Sequence, residues 1–136
     1  MSAPRITPLV SILLAAGAHA QDGRIARAEA PSGQRVTLAD VIPEEQPWSG
    51  EMQVVVRLVA PAIADDTLAN SQLRADMDWA CRTWGVPAAR ELSAPPDRVV
   101  VEMMAAPAPR GEATPGVHRI FESYRLEGPV CVWELF

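Results

Sequence analysis

Residues 52–60 read Met-Gln-Val-Val-Val-Arg-Leu-Val-Ala, and their side chains alternate between two faces. One face is wholly apolar, while the other carries a single charge, that of Arg57. This period of two predicts a β-strand with one buried face. We expect Pro61 to end the strand, because proline has no N–H group to donate to a sheet.

An amphipathic helix is predicted next, from about Thr67 to Trp84, with Asp66 as its N-terminal cap. Apolar residues recur along it at spacings of three and four, as they do in a helix packed on a core. This stripe comprises Leu73, Met77, Ala80, Cys81 and Trp84. We expect Gly85 to end the helix and Pro87 to prevent its continuation.

Two further strands and a second helix complete the predicted core. Residues 98–104 alternate as a strand, and residues 130–136 are expected to close the chain as another. Between them, Thr114 caps a predicted helix over residues 115–124, whose apolar positions follow a helical spacing. A short strand over residues 35–38 is placed at a sheet edge. This order predicts an α/β or α+β fold, a two-layer sandwich in which a three- to four-stranded sheet carries two helices on one face.

The beginning of the chain has the pattern of a secretory signal peptide. Arg5 precedes a short apolar run over residues 9–16, and Ala18-His19-Ala20 fits the small-x-small cleavage site. The run is shorter than the roughly 20 apolar residues that a membrane-spanning helix requires. We therefore expect cleavage after Ala20 and a periplasmic or secreted product. The alternative is an apolar N-terminus on a cytosolic protein.

Length and composition bound the rest of the chain. A length of 136 residues allows one domain, so we divide the chain into a signal peptide (1–20), a flexible lead-in (21–33) and a single globular domain (34–136). The net charge of −5 argues against nucleic acid or an anionic membrane surface as the main partner. Two cysteines are too few for a four-cysteine zinc site.

The two cysteines fall on elements that are expected to meet. Cys81 lies on the apolar stripe of the long helix, and Cys131 lies near the start of the last strand. In an exported protein, an isolated pair is most simply one disulfide. The alternative is two buried free thiols in a cytosolic protein. A reactive cysteine is disfavoured, because there is no C-x-x-C motif and neither residue lies at a helix N-terminus.

The sequence contains no catalytic or metal-binding constellation that we recognise, and we predict no catalytic residue, metal or cofactor. His118 has no nucleophile or carboxylate signalled nearby. Asp76 and Asp78 are two residues apart on a helix and so do not face each other, and we expect both to be solvated. No glycine-rich phosphate loop follows a strand.

The predicted outer face of the sheet is the most distinctive surface. It combines an apolar ground with opposed charges, which suits burial under a partner or a dimer mate. The alternatives are a solvated face with cross-strand ion pairs, or cover by the lead-in. Trp48, in a proline-flanked loop, is a further candidate anchor, although it could instead cover the sheet edge. The other candidate interface residues are Val55, Arg57, Val100, Glu102, Val132 and Glu134.

Several motifs together resemble a family. They are Pro-Ser-Gly-Gln-x-Val-Thr-Leu at 31–38, Asp-Met-Asp-x-x-Cys at 76–81, Phe-Glu-Ser-Tyr-Arg at 121–125 and Cys-Val-Trp-Glu at 131–134. The chain resembles a small exported alphaproteobacterial family known as a domain of unknown function. The resemblance implies one domain after an export signal and a pairing of Cys81 with Cys131. It implies no activity.

These observations favour a non-catalytic envelope protein that binds another protein, or a second copy of itself, through the outer face of its sheet. One alternative is a small-ligand carrier with its ligand held between the sheet and the loops near Trp48. A less favoured one is a hydrolase whose site has no recognisable motif.

Overall fold

The computed structural model describes residues 2–4 and 26–135. Within these residues, six strands form one curled mixed sheet, a half-barrel in which strand order follows chain order. The strands are β1 (Arg27–Glu29), β2 (Arg35–Glu45), β3 (Met52–Val59), β4 (Arg98–Met104), β5 (Arg119–Glu127) and β6 (Val130–Glu134). The predicted signal peptide and its cleavage site lie outside the described residues.

A long helix connects β3 to β4, which are the parallel neighbours among the described strands. The other neighbouring strands pair antiparallel. A short 3-10 turn (Pro61–Asp65) precedes α1 (Asn70–Ala80), and α1 continues through a π-helical turn (Cys81–Gly85) into α2 (Val86–Glu91) without interruption. Parallel neighbours need such a crossover, because a tight turn cannot return the chain to the same end of the sheet.

The core lies between this long helix and one face of the sheet. The alternation predicted for residues 52–60 and 98–104 is confirmed, since both segments are strands and their apolar faces are buried. The fully buried side chains at this interface include Val56, Leu58, Met77, Val99, Val101, Met103 and Tyr124. No helix in the described part of the chain is long and apolar enough to cross a membrane.

The predicted sandwich with a three- to four-stranded sheet and two helices is wrong. Residues 115–124 do not form a helix: Gly116 has a φ of +82° in a turn, and β5 begins at Arg119. Two of the apolar positions that suggest a helix, Ile120 and Tyr124, are four residues apart. This spacing also places them on the same face of a strand. Both side chains pack against the core. The strand that carries them, β5, pairs with β4 on one side and with β6 on the other.

The predicted ends of the long helix are also wrong. Asp66 is left-handed with a φ of 48° and does not cap the helix, which begins at Asn70. Gly85 keeps helical angles, and the helix continues past Pro87, which falls in the first turn of α2. The π-helical turn makes this possible, because a wider turn before the proline relieves the loss of its N–H group and the contact of its ring.

The N-terminal strands extend beyond their predicted bounds. β2 runs from Arg35 to Glu45 with a bulge between Leu38 and Asp40, far longer than the predicted 35–38. Residues 27–29, which the sequence places in the flexible lead-in, form β1 and pair with β2. Ala30, which follows β1, is buried in the core.

Gly85 is needed for the close packing of the helix on the sheet. A Cβ atom at this position would lie 2.6 Å from Cγ1 of Val99. Alanine ordinarily stabilises a helix by about 1 kcal/mol relative to glycine. Helix propensity alone would therefore favour alanine at this position. The close contact with Val99 on the central strand therefore explains why position 85 is glycine.

We predict that Gly85→Ala lowers the free energy of unfolding by about 1–3 kcal/mol, because a β-branched neighbour on a central strand cannot move aside. Urea denaturation of the disulfide-bonded protein measures the change. The same substitution in a Val99→Ala background, where the clashing methyl groups are absent, should cost less. Equal costs in the two backgrounds would contradict the packing explanation.

Candidate functional site

A disulfide ties the long helix to the last strand. It joins Cys81, in the π-helical turn, to Cys131 on β6, with Cα atoms 6.4 Å apart. Cys131 and Trp133 lie on the helix side of the sheet, as the predicted pairing requires. The bond fixes the distance between α1 and β6, and so defines one end of the space between them.

A cleft of about 500 Å³ opens beside this bond, between α1 and the β5–β6 hairpin. Its volume lies within the roughly 300–1,000 Å³ of small-molecule sites. The lining combines apolar side chains with charged and hydroxyl groups. It comprises Asn70, Ser71, Leu73, Arg74 and Met77 from α1, Ile120 and Glu122 from β5, and Trp133 from β6.

Three of these residues form an ordered charged group. The guanidinium carbon of Arg74 lies 3.3 Å from the centroid of the Trp133 ring, in a cation–π contact. The indole Nε1 of Trp133 donates a hydrogen bond to Oε2 of Glu122 at 2.5 Å. The carboxylate is therefore held at the edge of the ring whose face carries the cation.

Two buried polar atoms lie close to this group. The hydroxyl of Tyr124 and Oδ1 of Asp78 are both buried, and neither makes a hydrogen bond of normal geometry with a described residue. Burial raises the pKa of Tyr124 well above its usual value, and the nearby Asp78 carboxylate raises it further. The phenol therefore stays neutral beside the Asp78 carboxylate.

Asp76, expected to be solvated, is fully buried and fixes the β1–β2 turn to the helix. Its carboxylate accepts hydrogen bonds from the backbone N–H of Ser32 at 2.8 Å and the hydroxyl of Ser32 at 2.5 Å. Nε2 of Gln34 donates a third at 2.7 Å. The expectation of solvent exposure is wrong because this turn folds over the helix.

A second charged cluster occupies the outer face of the sheet. Arg57 on β3 pairs with Glu102 on β4 at 2.9 Å and with Asp40 on β2 at 3.2 Å. Glu102 is fully buried and also lies 3.3 Å from Arg110 and 3.5 Å from Arg119. A carboxylate without solvent is stable only with such partners, since an unpaired buried charge is very costly.

Residues 105–118 cover this cluster. The backbone carbonyl of Ala108 accepts a hydrogen bond from Arg57. Arg110 forms a bidentate pair with Glu44 on β2, at 2.9 and 3.0 Å, and Arg119 donates to the Thr114 hydroxyl at 2.9 Å. The segment between β4 and β5 is thus held across the sheet by arginine contacts.

The predicted interface residues divide into two groups. Val55, Arg57 and Glu102 are buried within the chain itself. Val100, Val132 and Glu134 are partly exposed, and Glu134 pairs with Arg98 at 3.2 Å. Trp48 is 75% exposed in the β2–β3 turn. The open part of the outer face is therefore near β5 and β6.

The sequence did not predict the cleft. A helix over 115–124 does not place Glu122 and Tyr124 on the same face, whereas the strand β5 does. An alternating strand over Ile120, Glu122 and Tyr124 would have brought these side chains opposite Trp133. His118 is exposed and lies just before β5. In the described ranges, no cluster of three or more His, Cys, Asp or Glu is placed to hold a metal ion.

Comparison with known families gives one match, over residues 11–136, to DUF6497, a family of unknown function. The chain belongs to this family. The match bears out the coarser part of the resemblance, a domain of unknown function. No curated protein and no solved structure matches the chain.

We predict that Glu102→Gln lowers the free energy of unfolding by about 3–5 kcal/mol, because the buried arginines lose a shared counter-charge. Glu127→Gln is the matched control. Glu127 pairs with Arg125 in solvent, and we expect a change within about 0.5 kcal/mol. Guanidinium denaturation of both variants measures the difference. Equal losses of unfolding free energy in the two variants would contradict the prediction, because the buried ion pair would then stabilise the protein no more than the exposed one.

Glu44 makes this cover sensitive to acid. Hydrogen bonds from Arg110 hold the pKa of the Glu44 carboxyl below its usual 4.5. A lowered folded-state pKa adds stability above the unfolded value, and this stability is lost as pH falls through the folded value.

We therefore predict that Glu44→Gln destabilises the protein at pH 7 and that the difference from the wild type shrinks as the pH falls below 4.5. Unfolding free energies measured from pH 7 to pH 3 test this. Glu45→Gln, at the exposed neighbouring residue, is the control and should track the wild type. A Glu44→Gln difference that is constant across the range would contradict the assignment.

Proposed function

We propose that this chain is an exported, non-catalytic module that loses its first 20 residues and binds a protein partner through the outer side of the β5–β6 hairpin. The Cys81–Cys131 disulfide supports the export part, since such bonds persist in oxidising compartments. The apolar run before Ala20 supports it independently.

The observation that carries the binding part is an exposed apolar surface on the last hairpin. Phe121 is 50% exposed and Val130 is 53% exposed, and both lie on the outer face of the hairpin with Val132. Val130 and Val132 are adjacent near the hairpin turn, whereas Phe121 lies toward the other end of β5, beyond the Ser123–Glu134 pair. We refer to Phe121, Val130 and Val132 as the hairpin surface. Exposed apolar side chains interspersed with polar ones are typical of protein interfaces.

The position of β6 favours a protein over a small molecule as the occupant of this surface. β6 is the last strand of the described sheet, so one of its edges faces away from β5. A partner strand can pair with such an edge while its side chains contact the hairpin surface. The disulfide on the opposite face of β6 keeps the strand in place for this contact.

The test is native mass spectrometry of the protein purified gently from its own cell envelope, with variants of the hairpin surface. We predict that Phe121→Asp and Val132→Asp each weaken the complex at least about tenfold, because a carboxylate cannot be buried there without a partner. Thr83→Asp, on an exposed helix position, should leave the complex intact.

Two results would contradict the proposal. If the hairpin variants retain the complex and Trp48→Asp loses it, the β2–β3 turn is the interface instead. If the purified protein is a monomer in every form, it has no stable partner under these conditions. The intact mass of the same sample also tests cleavage after Ala20.

A second candidate function is small-ligand binding, favoured by the cleft of about 500 Å³ beside α1. It differs from the original expectation in place, since Trp48 lies in the β2–β3 turn and not in this cleft. The two functions use opposite faces of the β5–β6 hairpin and can be tested separately.

A further inference from the structure

The cleft between α1 and the β5–β6 hairpin has the composition of a site for a positively charged organic group. An aromatic face flanked by a carboxylate recognises guanidinium and ammonium groups through cation–π attraction and charge pairing. Trp133 provides the face, and Glu122 is fixed at its edge by the indole hydrogen bond. Arg74, a residue of the chain itself, already occupies the face.

The charges around the cleft favour a cation over an anion. Arg74 and Glu122 are the charged residues of the lining, so the lining carries a negative charge without a counter-charge once Arg74 leaves the ring. The buried hydroxyl of Tyr124 and the Asp78 carboxylate lie beside each other behind this lining, and the phenol is the donor nearest to that carboxylate. A cation on the ring would pair with the Glu122 carboxylate, whereas an anion there would be repelled by it.

Arg74 has a second carboxylate within reach when it leaves the ring. Its residue is exposed, and Asp78 lies four positions further along α1, where side chains of opposite charge meet on a helix. A displaced guanidinium would therefore remain close to a carboxylate. The apolar lining of Leu73, Met77 and Ile120 suits an alkyl stem behind the charged group.

We infer that this cleft binds a small organic cation, an alkylguanidinium or alkylammonium, which replaces Arg74 on the ring of Trp133 and pairs with Glu122. The inference rests on the second candidate function, small-ligand binding, and names the chemistry of its ligand. It is independent of the hairpin surface.

The test is a titration of the disulfide-bonded protein with butylguanidinium, followed by the NMR signal of the Trp133 indole N–H. Butylurea, which has the same shape without the charge, is the matched probe. We expect butylguanidinium to shift the signal saturably and butylurea to leave it unchanged. A peptide with one arginine is tested in parallel. A site for a free cation should bind butylguanidinium at least as tightly as it binds this peptide, whereas a site for an arginine side chain of a partner should bind the peptide more tightly.

Two variants test the roles of individual residues. Arg74→Ala should tighten butylguanidinium binding about threefold, because it removes the internal competitor from the ring. Glu122→Gln should weaken it about tenfold, since the amide still accepts from the indole but has no charge. Arg82→Ala, an exposed residue in the helical turn after α1, should change nothing.

Each other outcome overturns the inference. Equal binding of butylurea would leave small-ligand binding in place but remove the cation. No response to either probe, in wild type and in Arg74→Ala, would remove both. Binding of butanoate that is lost in Arg74→Ala would instead make Arg74 an anion-binding residue.

Discussion

The parallel pairing of β3 with β4 is the constraint on which the rest of the structure depends. Parallel neighbours require a crossover, and the long helix is that crossover, so it must lie against the sheet at its centre. Gly85 and Val99 show how closely it lies there, since a single methyl group would not fit between them. The remaining strands extend the sheet on both sides of this unit by antiparallel pairing, and the helix then has to be joined to each side.

The joints between the helix and the two sides of the sheet come from sequence motifs that are far apart in the chain. Asp76 binds the Ser32 turn on the β1 side, and Cys81 is bonded to Cys131 on the β6 side. Both residues belong to one motif, Asp-Met-Asp-x-x-Cys, on one stretch of helix. The cleft is what remains between α1 and the hairpin once the disulfide sets their separation. Its charged group is therefore supported by the same contacts that hold the fold.

The sequence predicted those parts of the fold that depend on local periodicity and failed where distant residues decide. The alternation of residues 52–60 predicts the strand and its core-facing side chains correctly, but the opposite face, with Gln53, Val55 and Arg57, is buried as well. For β5 the alternation is interrupted by Glu122, a charge on the core side that only the Trp133 indole explains. The helical path through Gly85 and Pro87 depends on a π-helical turn and on Val99, neither of which leaves a local signal. The cleft was missed for the same reason, because one of its walls was predicted as a helix.

The outer face shows why a correct assignment of faces does not by itself identify an interface. The expected residues do share that face, yet Arg57 and Glu102 are buried under residues 105–118, a segment without periodicity. Opposed charges on an apolar ground describe an internal ion-pair cluster as well as they describe an interface rim. Solvent exposure separates the two, and it selects the β5–β6 end of the sheet. Arg110 marks the boundary, since it pairs with Glu44 on the covered side and its guanidinium carbon lies 5.9 Å from the ring of Phe121 on the open side. Arg110 thus links the covered and the open parts of the outer face through one side chain.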